Sequence, residues 1–246
     1  MRRQTLYNPI VFGASVTGPT HRKMKRPNED AWIHVQGQFG TLGAACDGMG
    51  SGSKARIGAQ IGCVAIKEAI KQWASGDDPP THYIAYLAET IWRIKISPHS
   101  PGDCATTCLF AFFKPDGHCF LGGVGDGLIA TRSGEGPVRL IKGERDTEFS
   151  NQTSGMGNSV RLKDWLVEVI DPTDEDQVVL LATDGIADDL HLEKIDELLD
   201  WLIASFAFLP PLKRWQVLCK ELRNWPTPRH VDDKTLVVIW KPGLDK

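Results

Sequence analysis

The chain has 246 residues, 41% hydrophobic and 24% charged, with a formal net charge of -3 at pH 7; it can bury a sizeable core, which excludes global disorder, and it lacks the basic excess of a duplex nucleic-acid binder. Its longest apolar run, residues 201–212, is broken by Pro210 and Pro211, is too short to span a bilayer and reads as a core helix. The six cysteines, Cys46, Cys63, Cys104, Cys108, Cys119 and Cys219, form no CxxC pair, and Met1-Arg-Arg opens a polar segment rather than a signal peptide, so the expectation is buried, reduced thiols in a cytoplasmic protein without membrane or nucleic-acid partners.

In chain order, residues 10–15 form a short apolar run predicted as a first strand, and a Gly/Pro/Thr turn follows at 18–20. Residues 31–35 and 39–46 have the small, branched and aromatic character of a hairpin. A glycine-rich loop, Asp47-Gly-Met-Gly-Ser-Gly-Ser53, leads into helical periodicity that runs to Trp73, and a second helical stretch covers about 81–94. Strands follow at 105–113 and 118–125, joined by the turn Lys114-Pro-Asp-Gly117. Asp126-Gly127 makes another turn, after which 128–131 resumes the meander. Residues 134–158 are polar, glycine-rich and weakly patterned, as expected of a flap over a cleft. Strands are predicted at 165–170 and 177–182, helices at 190–208 and 212–222, and a last strand at 235–240. Strands grouped by hairpins, with helices kept apart from them, point to an α+β layered fold rather than βαβ units. No internal repeat or long linker divides the chain, so one domain over 1–246 is expected.

Four acidic spots share one placement, each at the edge of an apolar strand beside small or turn-forming residues. They are Glu29-Asp30, Asp47-Gly48, Asp184-Gly185 and Asp232-Asp233; Asp126, between two glycines, is a fifth. One Asp-Gly pair alone is as well explained by a turn, and Asp232-Asp233 alone by a solvated turn. Their recurrence raises a second reading. Carboxylates at strand ends can converge at one end of a sheet, and clustered carboxylates resist burial unless a cation lies between them. Oxygen donors of this kind suit Mg²⁺ or Mn²⁺, and such a centre activates water against a phosphoryl group.

Six segments in order resemble the PPM/PP2C group of metal-dependent serine/threonine protein phosphatases in its compact bacterial form. They are Pro27-Asn-Glu-Asp-Ala-Trp32, Ala45-Cys-Asp-Gly-Met-Gly50, Ala105-Thr-Thr-Cys-Leu109, Gly123-Val-Gly-Asp-Gly127, Leu181-Ala-Thr-Asp-Gly-Ile-Ala-Asp188 and Asp232-Asp-Lys-Thr-Leu-Val. The resemblance implies a four-layer αββα sandwich, two antiparallel β-sheets flanked by helices. It also implies hydrolysis of phosphoserine and phosphothreonine on proteins, by a water attacking phosphorus directly at a binuclear Mn²⁺ or Mg²⁺ centre. Asp47 matches the carboxylate that bridges two metals, Gly48 the carbonyl ligand, and Asp184 and Asp232 the remaining ligands of the first metal. Glu29 and Asp30 match an acidic pair behind metal-bound waters. Asp126, with Asp184, matches a third, weaker site, and Asp188 a further aspartate near the first metal. Asp30, Asp47, Asp184 and Asp232 are therefore the expected catalytic set. Gly155-Met-Gly157 resembles the motif that closes the flap.

The sequence departs from that pattern at three places. The slot for the phosphate-gripping arginine holds Lys25, with Arg26 beside it and His21-Arg22 just upstream, so all four are phosphate-binding candidates. The glycine-rich loop reads Asp47-Gly-Met-Gly-Ser51-Gly52, and the family's Gly-Asp-Ser-Arg reads Gly125-Asp-Gly-Leu128. His82, His99, His118, His191 and His230 read as surface or packing residues, and the tryptophans as core and satellite packing. The expected partner is a phosphorylated protein, and the expected state a monomer. Two rivals stay open: a metal-dependent phosphatase of a small phosphorylated metabolite, and a catalytically weak phosphatase-like binding module.

Overall fold

A computed structural model of the chain describes residues 9–77, 79–141, 154–158, 164–225 and 231–244. Its elements are β1 (Ile10–Val16), α1 (Pro19–Met24), β2 (Asp30–Gly37), β3 (Gly40–Asp47), α2 (Ala55–Ala74), α3 (Tyr83–Ile96), β4 (Cys108–Phe113), β5 (Cys119–Val124), β6 (Leu128–Ser133), β7 (Arg139–Ile141), β8 (Leu166–Ile170), β9 (Gln177–Ala182), α4 (Asp184–Ala187), α5 (Ile195–Leu202), α6 (Pro211–Arg223) and β10 (Lys234–Lys241). Two five-stranded sheets result, ordered β1-β10-β9-β6-β7 and β2-β3-β4-β5-β8, with antiparallel pairing between neighbours. Most of the expected flap, 142–153, lies outside the described residues, as does His230.

The alternation of side chains along a strand builds the layers. On β10, Leu236, Val238 and Trp240 face α5 and α6, while Val237 and Ile239 face the other sheet. On β4, Cys108, Phe110 and Phe112 face α2 and α3, while Leu109, Ala111 and Phe113 face the first sheet. Both faces of the central strands are therefore buried, which is why they read as unbroken apolar runs. The result is the expected four layers: helices, sheet, sheet, helices.

α2 presents Gly58, Ala59, Gly62, Cys63, Ile66, Ala69, Ile70 and Trp73 to this core at helical spacing. Gly58 lets it approach closely, because a Cβ there would lie 1.7 Å from the carbonyl oxygen of Cys104. All six cysteines are buried and free of disulfides. Among the described residues no helix is long and apolar enough to cross a membrane.

Four local expectations are corrected. The turn predicted at 18–20 is the start of α1, with Pro19 in its first turn, where a missing N–H costs nothing. The Asp126-Gly127 turn does not continue a meander: β5 and β6 lie in different sheets, so the turn is a crossover. Gly125 (φ 98°) and Gly127 (φ 108°) supply the left-handed backbone it needs. The predicted core helix over 201–212 ends in a π-helical turn, Ile203–Ala207, and α6 starts anew at Pro211. Phe206 is buried there, but Phe208 and Leu212 are exposed. At the start of the 134–158 segment, β7 pairs with β6. Trp201 and Trp215 are also more exposed than packing residues.

Candidate metal centre

Antiparallel order brings the acidic strand edges to one end of both sheets. Asp30 opens β2 and Asp47 closes β3, directly opposite each other in register. Asp184 follows β9, and Asp232 precedes β10, its neighbour in the other sheet. Asp126 sits in the crossover that leads into β6, on the far side of β9.

Asp47 faces Asp30 on one side and Asp184 on the other, and interacts with both. Burial drives the Asp47 carboxyl well above the usual carboxylate range, and the charges of Asp30 and Asp184 add to the rise. Burial likewise pushes Asp30 up to about 7, reinforced by Asp233, while hydrogen bonds from Thr235 and Thr183 pull the other way. Asp184 is raised by burial and by the charges of Asp126 and Asp232, against a hydrogen bond with Asp47. At this cluster, the buried oxygens Asp184 Oδ1 and Glu29 Oε2 have no hydrogen-bond partner among the described residues. Converging, half-satisfied carboxylates of this kind fit a hard divalent cation.

The backbone around the cluster is held tightly. Thr183 donates from Oγ1 to Asp30 Oδ2 at 2.9 Å, tying the two sheets together. Thr107 Oγ1 accepts from Asp47 N at 3.0 Å, and Thr106 Oγ1 donates to Asp47 O at 2.8 Å. A Cβ on Gly48 would lie 2.4 Å from Ala55 O and 2.9 Å from Glu29 O, so only glycine fits this contact. Met156, within the expected closing motif, exchanges backbone hydrogen bonds with Thr106 at 3.1 and 2.8 Å, which docks that motif against the Asp47 loop. Lys234 is buried and donates from Nζ to Gly185 O at 2.8 Å, bracing the turn that carries Asp184.

The remaining candidates fall around this cluster. Asp232 is exposed but acts electrostatically on Asp184. Asp188 is exposed one turn beyond Asp184, at the end of α4. Arg26 reaches Glu29 Oε1 through Nη2 at 2.7 Å. Lys25 caps α1 in a left-handed conformation (φ 56°) with its side chain in solvent, and Arg22 is exposed. His21 is buried, with Nδ1 2.8 Å from Asp233 Oδ2 and Nε2 3.8 Å from Glu29 Oε2. His21, Asp232 and Asp233 offer ligand atoms within 4.8 Å of one another. Both oxygens of Asp233, however, already accept backbone N–H groups, from Gly18 and Glu29, so Asp233 is engaged with the chain's own donors.

Sequence reasoning passed over Asp233, Thr183, Thr235 and Lys234. Asp233 is 2% exposed rather than a solvated turn residue. The available signal was an Asp and a Lys leading straight into a strand that is otherwise buried along nearly its whole length, a place where polar groups survive only with partners.

A family model described as Protein phosphatase 2C matches residues 17–225. Among solved structures, a bacterial serine phosphatase is similar with a TM-score of 0.65 at 16% identity, over 96% of this chain and 99% of that one. RsbX in complex with magnesium gives 0.57 at 15% identity, over 94% of each chain. The photosystem II phosphatase PBCP gives 0.65 at 15% identity, over 94% of this chain and 98% of the other. At such identities the solved structures speak for the fold. No curated protein matches the chain by sequence.

Proposed function

The chain belongs to the protein phosphatase 2C family, and on that premise we propose that it hydrolyses phosphoserine and phosphothreonine on proteins at a centre holding two Mn²⁺ or Mg²⁺ ions. The observation that carries this reading is the convergence of buried Asp30 with half-buried Asp47 and Asp184, drawn from two sheets, with Asp184 Oδ1 left unsatisfied among the described residues. Carboxylates and a carbonyl, with no sulfur or imidazole among them, favour hard cations.

Asp47, which faces both other carboxylates, would serve both ions; Asp184 and Asp232 would hold one of them, Gly48 would lend its carbonyl to the other, and Glu29 and Asp30 would orient water beside them. Asp126, reaching Asp184 electrostatically, is the group from which a third, weaker site would be built. Bound there, the ions supply an activated water and neutralise charge on the phosphoryl oxygens. The chain's own residues supply the rest. Thr183 and Thr235 fix the Asp30 carboxylate, and the Thr106–Thr107 pair fixes the backbone of Asp47. Arg26, drawn to the cluster by Glu29, is the best placed of the four phosphate-binding candidates, and its planar guanidinium can grip two phosphoryl oxygens. Lys25 and Arg22 stand at the rim.

The test is turnover on phosphoserine, phosphothreonine and phosphotyrosine peptides beside small phosphorylated metabolites. Activity is expected to vanish with EDTA, to return with Mn²⁺ and to favour the phosphoserine and phosphothreonine peptides. Full activity without metal would sink the metal reading, and a higher kcat/KM on a metabolite would shift the substrate class.

A further inference from the structure

Asp233 is a buried carboxylate that the metal cluster does not use. Its Oδ1 accepts the N–H of Gly18 at 2.6 Å. Its Oδ2 accepts the N–H of Glu29 at 2.6 Å and lies 2.8 Å from Nδ1 of His21. A carboxylate oxygen accepts and does not donate, so Nδ1 of His21 carries the hydrogen. All three donors come from one stretch, residues 18–29. They mark its beginning, its helix and its end.

That stretch cannot hold its own shape. α1 has six residues and no side-chain cap at Gly18, and a helix so short is unstable in water by itself. It is instead pressed onto the backbone of residues 231–233. Thr20 N donates to Val231 O at 3.0 Å, and a Cβ on Gly18 would lie 2.1 Å from Asp232 O. Within the stretch, Arg26 N returns to His21 O at 2.8 Å, and Arg26 Nη2 reaches Glu29. The same twelve residues carry Arg22, Lys25 and Arg26, three of the candidate cations for the substrate phosphate.

We propose that Asp233 is the positioning residue for substrate phosphate: its carboxylate clasps residues 18–29 so that Arg26 and its neighbours stand beside the carboxylate cluster. The role rests on the phosphatase reading above. Adjacent aspartates then act on different partners, Asp232 on the metal and Asp233 on the cations that meet the phosphate.

The test compares wild type with Asp233→Asn and Asp233→Ala. The asparagine keeps the shape but turns one acceptor into a donor facing N–H groups, and it covers the case in which the alanine variant does not fold. Three quantities are read: KM and kcat on a phosphopeptide at saturating Mn²⁺, Mn²⁺ affinity by calorimetry, and the rate of trypsin cleavage after Arg22, Lys23 and Lys25, Arg26 being shielded from trypsin by Pro27. KM should rise by about tenfold or more, with kcat and Mn²⁺ affinity each within about threefold of wild type. Trypsin cleavage in the stretch should quicken by about tenfold while the rest of the fold persists. Unchanged KM and unchanged cleavage in an active background would overturn the role. So would a loss of Mn²⁺ affinity that tracks the rise in KM, because Asp233 would then be supporting Asp232. A wild type with no Mn²⁺-dependent turnover would instead defeat the phosphatase reading and this role together, an outcome distinct from either of those.

Discussion

Asp47 is pressed from both sides by like charges, Asp30 across the β2–β3 pair and Asp184 from the other sheet. Without a cation this arrangement works against the fold, and with one it becomes an asset. Asp47→Asn should therefore raise the unfolding temperature of the metal-free protein, worth about 1 kcal/mol or more, because it removes a half-buried carboxylate pressed by two like charges. It should also abolish the upward shift that Mn²⁺ gives the wild type and bring turnover down to background. Calorimetry with and without Mn²⁺, beside a phosphopeptide assay, checks all three. A variant that kept full turnover would remove Asp47 from the site. Asp47 could be found in the sequence because it combines a strand edge, a following glycine and a recurring pattern. Asp233 could not, because a second aspartate in a row looks like a solvated turn until its three donors arrive from residues more than 200 positions away.

Elements were legible where side-chain period and burial agree. α2 repeats its apolar positions every three or four residues; β4 is apolar throughout, and β9 and β10 carry apolar runs at 178–182 and 236–240, because both their faces are covered. Gly58 shows how tertiary packing overrides local preference. Alanine is the better helix former by about 1 kcal/mol, yet a Cβ at this position would meet the Cys104 carbonyl oxygen at 1.7 Å. Gly58→Ala should destabilise the protein by about 1–3 kcal/mol net, read as a lower midpoint in urea with an unchanged slope. A neutral or stabilising result would mean that α2 and the Gly102–Cys104 turn can move apart freely. The crossover between β5 and β6 was the least legible element. Its turn residues suit a hairpin within one sheet as well as a step between two, and only the pairing of β6 with β9 distinguishes them.

At the scale of the molecule, the proposed metal binding would compete with proton binding for the same carboxylates. The folded, metal-free chain holds Asp30 up to about 7, and Asp47 and Asp184 above their usual range, whereas an unfolded aspartate titrates near about 4. Between those values the native state binds more protons than the unfolded one, so these groups make metal-free stability fall as pH rises from about 4 to about 7. Cation binding needs the deprotonated forms and gains with pH. The rise in unfolding temperature on adding Mn²⁺ should therefore be larger at pH 7.5 than at pH 5.5. Scanning fluorimetry at the two pH values checks this, and an equal rise at both would mean that the ion binds away from the trio. The sequence by itself determined the layered α+β class, the strand-edge positions of Glu29, Asp30, Asp47, Asp126, Asp184 and Asp232, and a membership that six short segments in order sufficed to suggest. Those properties follow from side-chain period and from residue types that a local pattern exposes. Only the tertiary structure decided which carboxylates meet, that Arg26 reaches Glu29 of the acidic pair, and that Asp233 accepts hydrogen bonds from both ends of the segment between Gly18 and Glu29. Each of these is a contact between distant parts of the chain, set by which strand ends the two sheets bring together rather than by anything a local pattern can carry.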